Sequence, residues 1–393
     1  MHSKQINLSP DIIQLRNDGY EVEIKENHLL IHNIPFLNSS KKVCKGTLVS
    51  LLGFRNNQII QIGDHRTFFI GETPCDINGR PLIDIINNSN SHKLGQTIIT
   101  NHMFSRKPTN GYKDYYHKME TYINMLTSHV QSIHPNETAK TFIVLKDKSS
   151  ESPFAYIDTN SVRNEIQSIN NKLSGLKVGL IGLGGTGSYI LDLIAKTCVA
   201  EIHLFDGDEF CQHNAFRSPG AASINDLFLN LKKVDYQKMN YSNIHEGIIS
   251  HSQYIDESNV NLLQDLDFIF IAIDKGSIKK TIFNYLEENN TNFIDCGIGV
   301  INKNNSLLSS VRVNCSVNGF REHIWSDRIS FKDDDDENIY SSNIQLCELN
   351  SLNACLAVMK WKQFYGVYHD LGNGYSNIYN SSVNEIINDD VRT

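Results

Sequence analysis

A glycine-rich loop is the stretch of this sequence best suited to chemistry on a phosphate. The loop covers residues 182–187, after the apolar run 178–181 and before apolar residues at helical spacing. Its glycines are Gly182, Gly184, Gly185 and Gly187. A strand, a tight turn and a helix in this order let an anion approach backbone N–H groups at the positive end of the helix. The pattern therefore predicts a nucleotide-binding site.

Charged residues follow at the end of a second predicted strand. The apolar run 202–205 ends in Asp206, nineteen residues after the last glycine of the loop. A βαβ nucleotide-binding fold places the carboxylate that binds ribose hydroxyls at this point. A dehydrogenase needs only that carboxylate, whereas this chain adds Asp208, Asn214 and Arg217 within eleven residues of Asp206. The nucleotide could be NAD or ATP, and the added residues distinguish the two.

The added residues resemble the adenylation motif of the ThiF/MoeB/ubiquitin-activating-enzyme superfamily. That motif reads D-x-D and then, a few residues later, S/N-N-x-x-R. It is matched without a gap by Asp206, Asp208, Asn214 and Arg217. The resemblance covers roughly residues 163–366.

A lysine and a further aspartate complete the family motif. After a small insertion, the lysine corresponds to Lys233 rather than Lys232. The aspartate corresponds to Asp274, at the end of the apolar run 268–273. Lys275 stands where the family usually has asparagine, so the chain departs from the pattern there.

The resemblance implies a role in ATP chemistry for three of these residues. Adenylation is the attack of a carboxylate on the α-phosphorus of ATP with pyrophosphate leaving, so the site must place charge on the phosphates. Arg217 and Lys233 would supply positive charge, Arg217 as a planar fork and Lys233 as a point charge. Asp274 would hold Mg²⁺, which prefers carboxylate and phosphate oxygens.

The resemblance also implies positioning and nucleotide-binding roles. Asp206 would bind the ribose hydroxyls, and Asp208 would orient Asn214 or Arg217. Family members often borrow one arginine from a dimer partner, at a position shortly before the glycine strand. Arg163 is the candidate for that arginine, and an exposed helix arginine is the alternative interpretation.

Composition excludes several classes of function. The 393-residue chain has a net charge of −8 and no basic cluster, which argues against a nucleic-acid partner. It has no N-terminal apolar segment of the signal type and no apolar run of eighteen residues, so we expect a cytoplasmic protein without a membrane span. The eight cysteines include no CxxC pair. The two-CxxC zinc site of the superfamily's small-molecule branches therefore cannot form.

The patterning predicts an α/β chain of two domains. Residues 1–150 form a smaller α+β domain, with a helix around 10–17 and short strands, and its default role is partner binding. A polar linker at 146–152 leads to a Rossmann-like ThiF-type adenylation domain over 160–372. The polar tail 373–393 is predicted to be disordered.

The last predicted helix covers residues 348–364 and carries an apolar stripe. The stripe consists of Leu349, Leu352, Leu356, Met359 and Phe364. The acidic run 333–337 precedes this helix and is interpreted as a solvated loop. In protein-activating members of the superfamily, the segment before the last helix crosses the active site. There it carries a cysteine or positions the incoming C-terminal tail.

Three cysteines are candidates for a thioester with such a tail. Cys347 and Cys315 flank the segment 316–346, which contains no cysteine, and Cys296 lies on the predicted strand 292–297. A thioester-forming cysteine needs exposure and a lowered pKa. Each of the three could instead be a packed small hydrophobe, since free cysteine is usually buried.

The N-terminal domain contains histidines and a cysteine of open function. His65, Cys75, His102 and His117 could bind a metal or form a Cys/His hydrolytic site. Their spacings match no standard ligand pattern. Structural polar groups with satisfied hydrogen bonds are therefore the alternative.

Residues 12–120 are similar to a domain of unknown function that is fused ahead of ThiF-type domains. Those fusions occur in bacterial operons that also encode a ubiquitin-like protein, a conjugating enzyme and a metallopeptidase. Residues 214–220 and 348–354 are similar to the same subgroup. The resemblance implies a ubiquitin-activating-like enzyme. It would use Mg-ATP to adenylate the C-terminal glycine of a ubiquitin-like protein and pass it to a conjugating enzyme in antiphage defence. A homodimer is expected, or a pseudo-dimer if the N-terminal domain replaces the second copy.

Two other classes of function stay open. One is adenylation of a sulfur-carrier protein in cofactor biosynthesis, against which the large N-terminal domain and the missing zinc cysteines argue. The other is an NAD-binding Rossmann module without adenylating activity. That class gives Arg217, Lys233 and Asp274 no role.

Overall fold

The chain folds into two compact units, Met1–Ser149 and Ser150–Thr393. The computed structural model describes residues 9–55, 58–60, 63–143, 152–156, 158, 160–161, 166–326, 329, 331 and 344–391. Arg163, the acidic run 333–337 and residues 146–151 of the predicted linker lie outside these ranges. Every helix within them is too short or too polar to cross a membrane.

The described part of the first unit contains two helices and ten strands. The helices are α1 (Pro10–Asn17) and α2 (Tyr115–Gln131). The strands are β1 (Glu21–Lys25), β2 (His28–Leu37), β3 (Val43–Leu51), β4 (Gly53–Arg55), β5 (Gln58–Ile60), β6 (Arg66–Ile70), β7 (Ile86–Asn88), β8 (His92–Lys93), β9 (Ile99–Thr100) and β10 (His102–Ser105). Six of them form an antiparallel sheet in the order β1-β2-β3-β6-β10-β7. The predicted α+β fold of this region is confirmed.

Helix α2 packs against β2 and closes the core of the first unit. The Asp114 side chain caps the helix by accepting a hydrogen bond from His117 N at 2.8 Å. On the buried side, the rings of Phe69 and Phe104 stack with centroids 5.3 Å apart. Tyr122 of α2 lies beside them, and its hydroxyl donates to His65 O at 2.8 Å, so the polar atom of this buried ring is satisfied.

The second unit contains seven helices and eight strands. The helices are α3 (Gln167–Asn170), α4 (Gly185–Ile194), α5 (Gln212–Ala215), α6 (Ile224–Phe228), α7 (Lys233–Tyr241), α8 (Gly276–Glu288) and α9 (Cys347–Phe364). The strands are β11 (Lys177–Ile181), β12 (Glu201–Phe205), β13 (Ile248–His251), β14 (Phe268–Ile271), β15 (Asn292–Lys303), β16 (Ser306–Ser316), β17 (Gly374–Asn380) and β18 (Glu385–Val391). These counts refer to the described part of the unit.

The eight strands form one sheet in the order β13-β12-β11-β14-β15-β16-β17-β18. The first five are parallel, and the last three pairings are antiparallel. Strands β11 and β14 are neighbours although β12 and β13 lie between them in the sequence, so the winding reverses at this point. Open α/β sheets bind ligands beyond the carboxyl ends of the strands at such a switch point. The predicted Rossmann-like α/β fold is confirmed.

Helices cover both faces of the parallel part of the sheet. Apolar residues of α4 and α9 share a core with one face of β11 and β14, and apolar residues of α8 share a core with the other face. This three-layer arrangement buries β11 and β14 on both sides, as their continuous apolar sequences require. Their carboxyl ends are therefore held rigidly at the switch point.

The predicted apolar stripe of α9 is wrong toward the end of the helix. Met359 and Phe364 are 51% and 39% exposed, whereas Ala354, Ala357 and Trp361 are fully buried. Helix α9 packs closely against α4, and close approach of two helices favours small side chains between them. The leucine spacing therefore identified the helix but not its buried face.

The predicted disorder of the tail is also wrong, because residues 374–391 form β17 and β18. Strand β17 pairs with β16 over five positions. Its fully buried Ser376 donates a hydrogen bond to Asn314 Oδ1 at 2.7 Å. The polar composition of the tail does not indicate these strands. Strand β17 is stabilised by pairing with β16 and β18 by pairing with β17, not by an apolar pattern of their own.

Truncation after Asn373 tests whether these strands contribute to stability. The variant lacks the partner of β16 and leaves Asn314 Oδ1 buried without its donor, at a cost of about 1–3 kcal/mol. For a unit of this size the thermal midpoint falls by roughly 2–4 °C per kcal/mol lost. Thermal melts followed by circular dichroism compare this variant with a control truncated after Val391. Equal midpoints for the two truncations would contradict a structural role of the strands.

Candidate nucleotide-binding site

The glycine loop between β11 and α4 requires glycine for reasons of conformation and space. Gly182 has a φ of +90°, and a Cβ there would lie 2.5 Å from a backbone oxygen after β14. A Cβ on Gly187 would collide with Gly182 O, and a Cβ on Gly185 would collide with the Asn350 amide. The Cβ position of Gly184 has no atom within 4 Å. Open space therefore lies over Gly184, where an anion can approach the N-terminus of α4.

The Asp206 carboxylate connects this loop to the end of β12. Its Oδ2 accepts a hydrogen bond from Leu183 N at 2.7 Å, and its Oδ1 accepts one from Asp208 N at 2.8 Å. Asp206 is almost fully buried, and Lys233 Nζ lies 3.7 Å from Oδ2. Backbone donors and a cation thus compensate the burial of this charge.

Asp208 contacts residues other than those expected. No hydrogen bond or ion pair joins it to Asn214 or Arg217 in the described part of the chain. Lys233 Nζ instead donates to Asp208 Oδ2 at 2.6 Å, and the Tyr254 hydroxyl donates to Oδ1. Partial burial by itself would raise the pKa of Asp208. The two hydrogen bonds lower it by a larger amount, so the pKa of Asp208 lies below its usual value. The bond to Asp208 raises the pKa of Tyr254 to about 12.

Asn214 and Arg217 belong to the short segment around α5. Asn214 is buried and accepts a hydrogen bond from Cys211 N at 2.8 Å, which closes the first turn of the helix. Arg217 is half-buried, and its Nε has no hydrogen-bond partner among the described residues. A guanidinium N–H in that state can bind a phosphate oxygen. Asn214 thus holds the segment that carries Arg217.

The loop and the charged residues come together at one cavity of about 1400 Å³. Most of the predicted residues line it, namely Gly182, Gly184, Gly185, Asp206, Asp208, Arg217, Lys233 and Asp274. Small-molecule pockets usually measure about 300–1,000 Å³. This cavity therefore has room for a nucleotide and part of a second substrate.

An ion-paired cluster on the cavity was missed by the sequence analysis. Asp295 is fully buried on β15, with Lys279 Nζ 2.6 Å from its Oδ1 and an Arg312 nitrogen 3.2 Å from its Oδ2. Lys279 and Arg312 line the cavity. The Asp295 carboxylate therefore holds two cations on the wall of the cavity. The three residues lie on α8, β15 and β16, so no local spacing could have revealed them.

Two asparagines of α9 were also missed. Asn350 and Asn353 are fully buried and line the cavity. Polar residues three positions apart on the buried face of a helix are a sequence signal. The sequence analysis missed this signal because it assigned the leucine stripe, on a different face of α9, as the buried face.

The candidate cysteines differ in their surroundings. Cys347 is partly exposed at the first position of α9, and its Sγ lies 2.8 Å from the Tyr189 hydroxyl. Cys315 is fully buried, and burial raises its pKa to about 12, so it meets neither requirement for a thioester-forming cysteine. Cys296 lines the cavity but is also buried, and burial raises its pKa.

The histidines and the cysteine of the first unit make ordinary hydrogen bonds. His65 Nε2 pairs with a serine hydroxyl at 2.9 Å, and His102 Nδ1 pairs with another at 2.9 Å. Cys75 Sγ donates to a backbone carbonyl, and His117 Nδ1 accepts from a backbone N–H. Within the described ranges, no three His, Cys, Asp or Glu side chains are grouped to hold a metal ion.

Two family models match the chain. The model of the ThiF family matches residues 159–313, which include the glycine loop, Asp206 and Asp274. The chain carries a ThiF family domain. The superfamily resemblance inferred from the motif is therefore confirmed. A Domain of unknown function (DUF6791) matches residues 10–159, ahead of the ThiF domain.

Individual proteins are similar to parts of the chain. The tRNA threonylcarbamoyladenosine dehydratase of Haemophilus influenzae is 28% identical over 131 residues, which are 32% of this chain and 49% of that protein. The chain thus spans about half the length of this curated relative. The structure of E. coli MccB with ATP has a TM-score of 0.45 and 18% identity over 71% of this chain and 82% of that chain. PaaA has a TM-score of 0.44 and 17% identity over 57% of this chain and 76% of that chain.

Alanine at two neighbouring glycines tests the geometry of the loop. Gly185→Ala forces the Asn350 amide to move, and overpacking of this kind costs about 1–3 kcal/mol, so the thermal midpoint falls. Gly184→Ala places its methyl group in open space, so the thermal midpoint should equal that of the wild type. That methyl group obstructs a phosphate and weakens ATP binding by about tenfold or more, the equivalent of about 1.4 kcal/mol. Thermal melts and calorimetric titration with ATP measure both effects. Equal midpoints for the two variants would contradict the packing of Asn350 on Gly185.

The lowered pKa of Asp208 predicts how its contribution to stability depends on pH. A carboxylate whose pKa is lower in the folded than in the unfolded chain stabilises the fold above its unfolded value, about 3.9. That contribution is lost as the pH falls through the folded value. The midpoint difference between the wild type and Asp208→Asn should therefore be constant above about pH 5 and shrink below about pH 3.9. A difference that persists undiminished in acid would contradict the pairing with Lys233.

Proposed function

We propose that the second unit adenylates the C-terminal glycine of a ubiquitin-like protein with Mg-ATP and passes the activated tail to a conjugating enzyme. One observation carries this proposal. The glycine loop, Asp206, Arg217, Lys233 and Asp274 line a single cavity at the switch point of the sheet. A dinucleotide-binding module would need the loop and Asp206 but none of the other three residues.

The charges around the cavity suit phosphoryl chemistry. A carboxylate oxygen of the substrate attacks the α-phosphorus of ATP, the bond to the bridging oxygen breaks, and pyrophosphate leaves with the electron pair. Negative charge grows on the leaving group, and preorganised cations stabilise it. Arg217 Nε has no hydrogen-bond partner in the described part of the chain and can serve this purpose, and the Asp208 carboxylate holds Lys233 in position.

Asp274 is the residue that would hold Mg²⁺. It follows β14 at the edge of the cavity and is exposed there. Mg²⁺ is commonly bound by one or two carboxylates together with substrate phosphates, so a single carboxylate facing bound ATP fits the ion. The ion would neutralise part of the phosphate charge.

A protein tail as the second substrate is supported by the shape of the cavity. Residues 297–302 of β15 line it, and an extended wall of this kind can receive an extended peptide. The subgroup resemblance of the N-terminal domain supports a ubiquitin-like partner, a conjugating enzyme and a role in bacterial antiphage defence, in the cytoplasm. A homodimer in which Arg163 reaches the partner's site belongs to the same proposal.

Cys347 is the proposed acceptor if the activated tail is transferred to this chain. It is partly exposed, unlike Cys315 and Cys296. Cys347 is the first residue of the 18-residue helix α9, and its Sγ lies 2.8 Å from the Tyr189 hydroxyl. Direct transfer to a conjugating enzyme would leave this thiol unmodified.

The test is ATP–pyrophosphate exchange with a ubiquitin-like protein that ends in glycine. Wild-type protein should exchange pyrophosphate only when that protein is present. Arg217→Ala should lower the exchange rate by about 100-fold or more, the effect of removing one transition-state donor. Lys280→Ala is the matched control, since Lys280 is an exposed cation on α8 away from the cavity, and it should leave the rate unchanged.

Other outcomes distinguish the alternative functions. ATP binding without exchange would direct the assay to sulfur-carrier proteins or to a dehydratase substrate. Binding of NAD in preference to ATP would contradict adenylation altogether. Equal losses in Arg217→Ala and Lys280→Ala would show that Arg217 has no specific role.

A further inference from the structure

Each of the two asparagines on the cavity has half of its amide engaged in the fold. Asn350 Oδ1 accepts a hydrogen bond from Thr186 Oγ1 at 3.0 Å. Asn353 Nδ2 donates to Gly297 O at 3.1 Å. Both side chains are fully buried. Because a carbonyl oxygen can only accept, the bond to Gly297 fixes the orientation of the Asn353 amide.

The other half of each amide has no partner among the described residues. Asn350 Nδ2 is a buried donor and Asn353 Oδ1 is a buried acceptor, and neither makes a hydrogen bond. Unpaired buried polar groups destabilise a fold and are uncommon in native structures. Both residues line the cavity, so a ligand there can satisfy the two atoms.

The neighbours of the two side chains indicate what each atom would bind. Asn350 packs on Gly185 of the glycine loop, since a Cβ on that glycine would collide with its amide. Its free donor therefore lies beside the place where a phosphate or an acyl group on a phosphate would be held. Asn353 lies one helical turn further along α9, beside Gly297 of β15. Its free acceptor needs a hydrogen-bond donor, such as an N–H group.

We propose that Asn350 and Asn353 bind the backbone of the last residue of a peptide substrate. Asn350 Nδ2 donates to its carboxyl oxygen, and Asn353 Oδ1 accepts its N–H. An extended residue presents its C=O and N–H on the same edge, which suits a donor and an acceptor one helical turn apart. This assignment rests on the proposed adenylation and makes the acyl substrate a peptide rather than a small carboxylic acid.

Two unreactive mimics of a glycyl adenylate test the assignment. One is N-acetylglycyl sulfamoyl adenosine, and the other is its ester analogue, in which oxygen replaces the glycine N–H. Wild-type protein should bind the amide mimic about tenfold or more tightly than the ester, as expected for one lost hydrogen bond. Asn353→Leu should bind both with equal affinity. Asn350→Leu should weaken binding of both by about the same factor and keep their ratio.

Stability and ATP binding separate this role from a structural one. Each leucine removes an unpaired buried atom but also the partner of Thr186 Oγ1 or Gly297 O, so the thermal midpoint should fall only slightly. ATP affinity should stay within about twofold of the wild type, a change of only about 0.4 kcal/mol. Ser351→Ala, on the same helix but outside the cavity lining, should behave as the wild type in every measurement.

Several results would overturn the assignment. Equal binding of the amide and ester mimics by the wild type would do so without recourse to any variant. An amide preference retained in Asn353→Leu would exclude the role of that side chain. A loss of ATP affinity in Asn350→Leu as large as its loss for the mimics would assign Asn350 to the nucleotide phosphates instead. If the wild type bound neither mimic nor ATP, the proposed adenylation itself would fail.

Discussion

The hydrogen bond from Leu183 N to the buried Asp206 carboxylate is the interaction on which the site depends. It joins the glycine loop after β11 to the end of β12, so the two strand ends are fixed relative to each other. A carboxylate removed from water must be compensated by donors or cations. Backbone N–H groups and Lys233 provide this compensation. The position of the loop and the position of the first cation are therefore set by the same charge.

Three of the cations around this cavity are paired with carboxylates. Lys233 lies against Asp206 and Asp208, and Lys279 and Arg312 share Asp295. A buried cation without such a partner would be costly. The Asp295 carboxylate holds two cations in position, and two carboxylates hold Lys233. The cavity thus has one fixed cation, Lys233, near the glycine loop and two more, Lys279 and Arg312, held by Asp295.

Residues of the site that are close together in the sequence could be predicted, and those from distant elements could not. The glycine loop and Asp206 lie at strand ends within one βαβ unit, so their spacing encodes their proximity. Lys279 and Asn350 reach the same cavity from distant elements, and only the folded sheet brings them to it. The contacts of Asp208 were predicted wrongly because Tyr254 is 46 residues away. The tail was predicted wrongly because β16 rather than its own sequence stabilises it.

The position of β17 in the sheet has a consequence for synthesis on the ribosome. Strand β16 pairs with β15 on one side and with β17 on the other, and the 18-residue helix α9 separates β16 from β17 in the sequence. Until residues 374–391 emerge, β16 is an exposed edge strand at the end of a nearly complete sheet. Exposed edges pair readily with other chains. Nascent chains stalled between α9 and β17 would therefore be the species of this protein most exposed to aggregation.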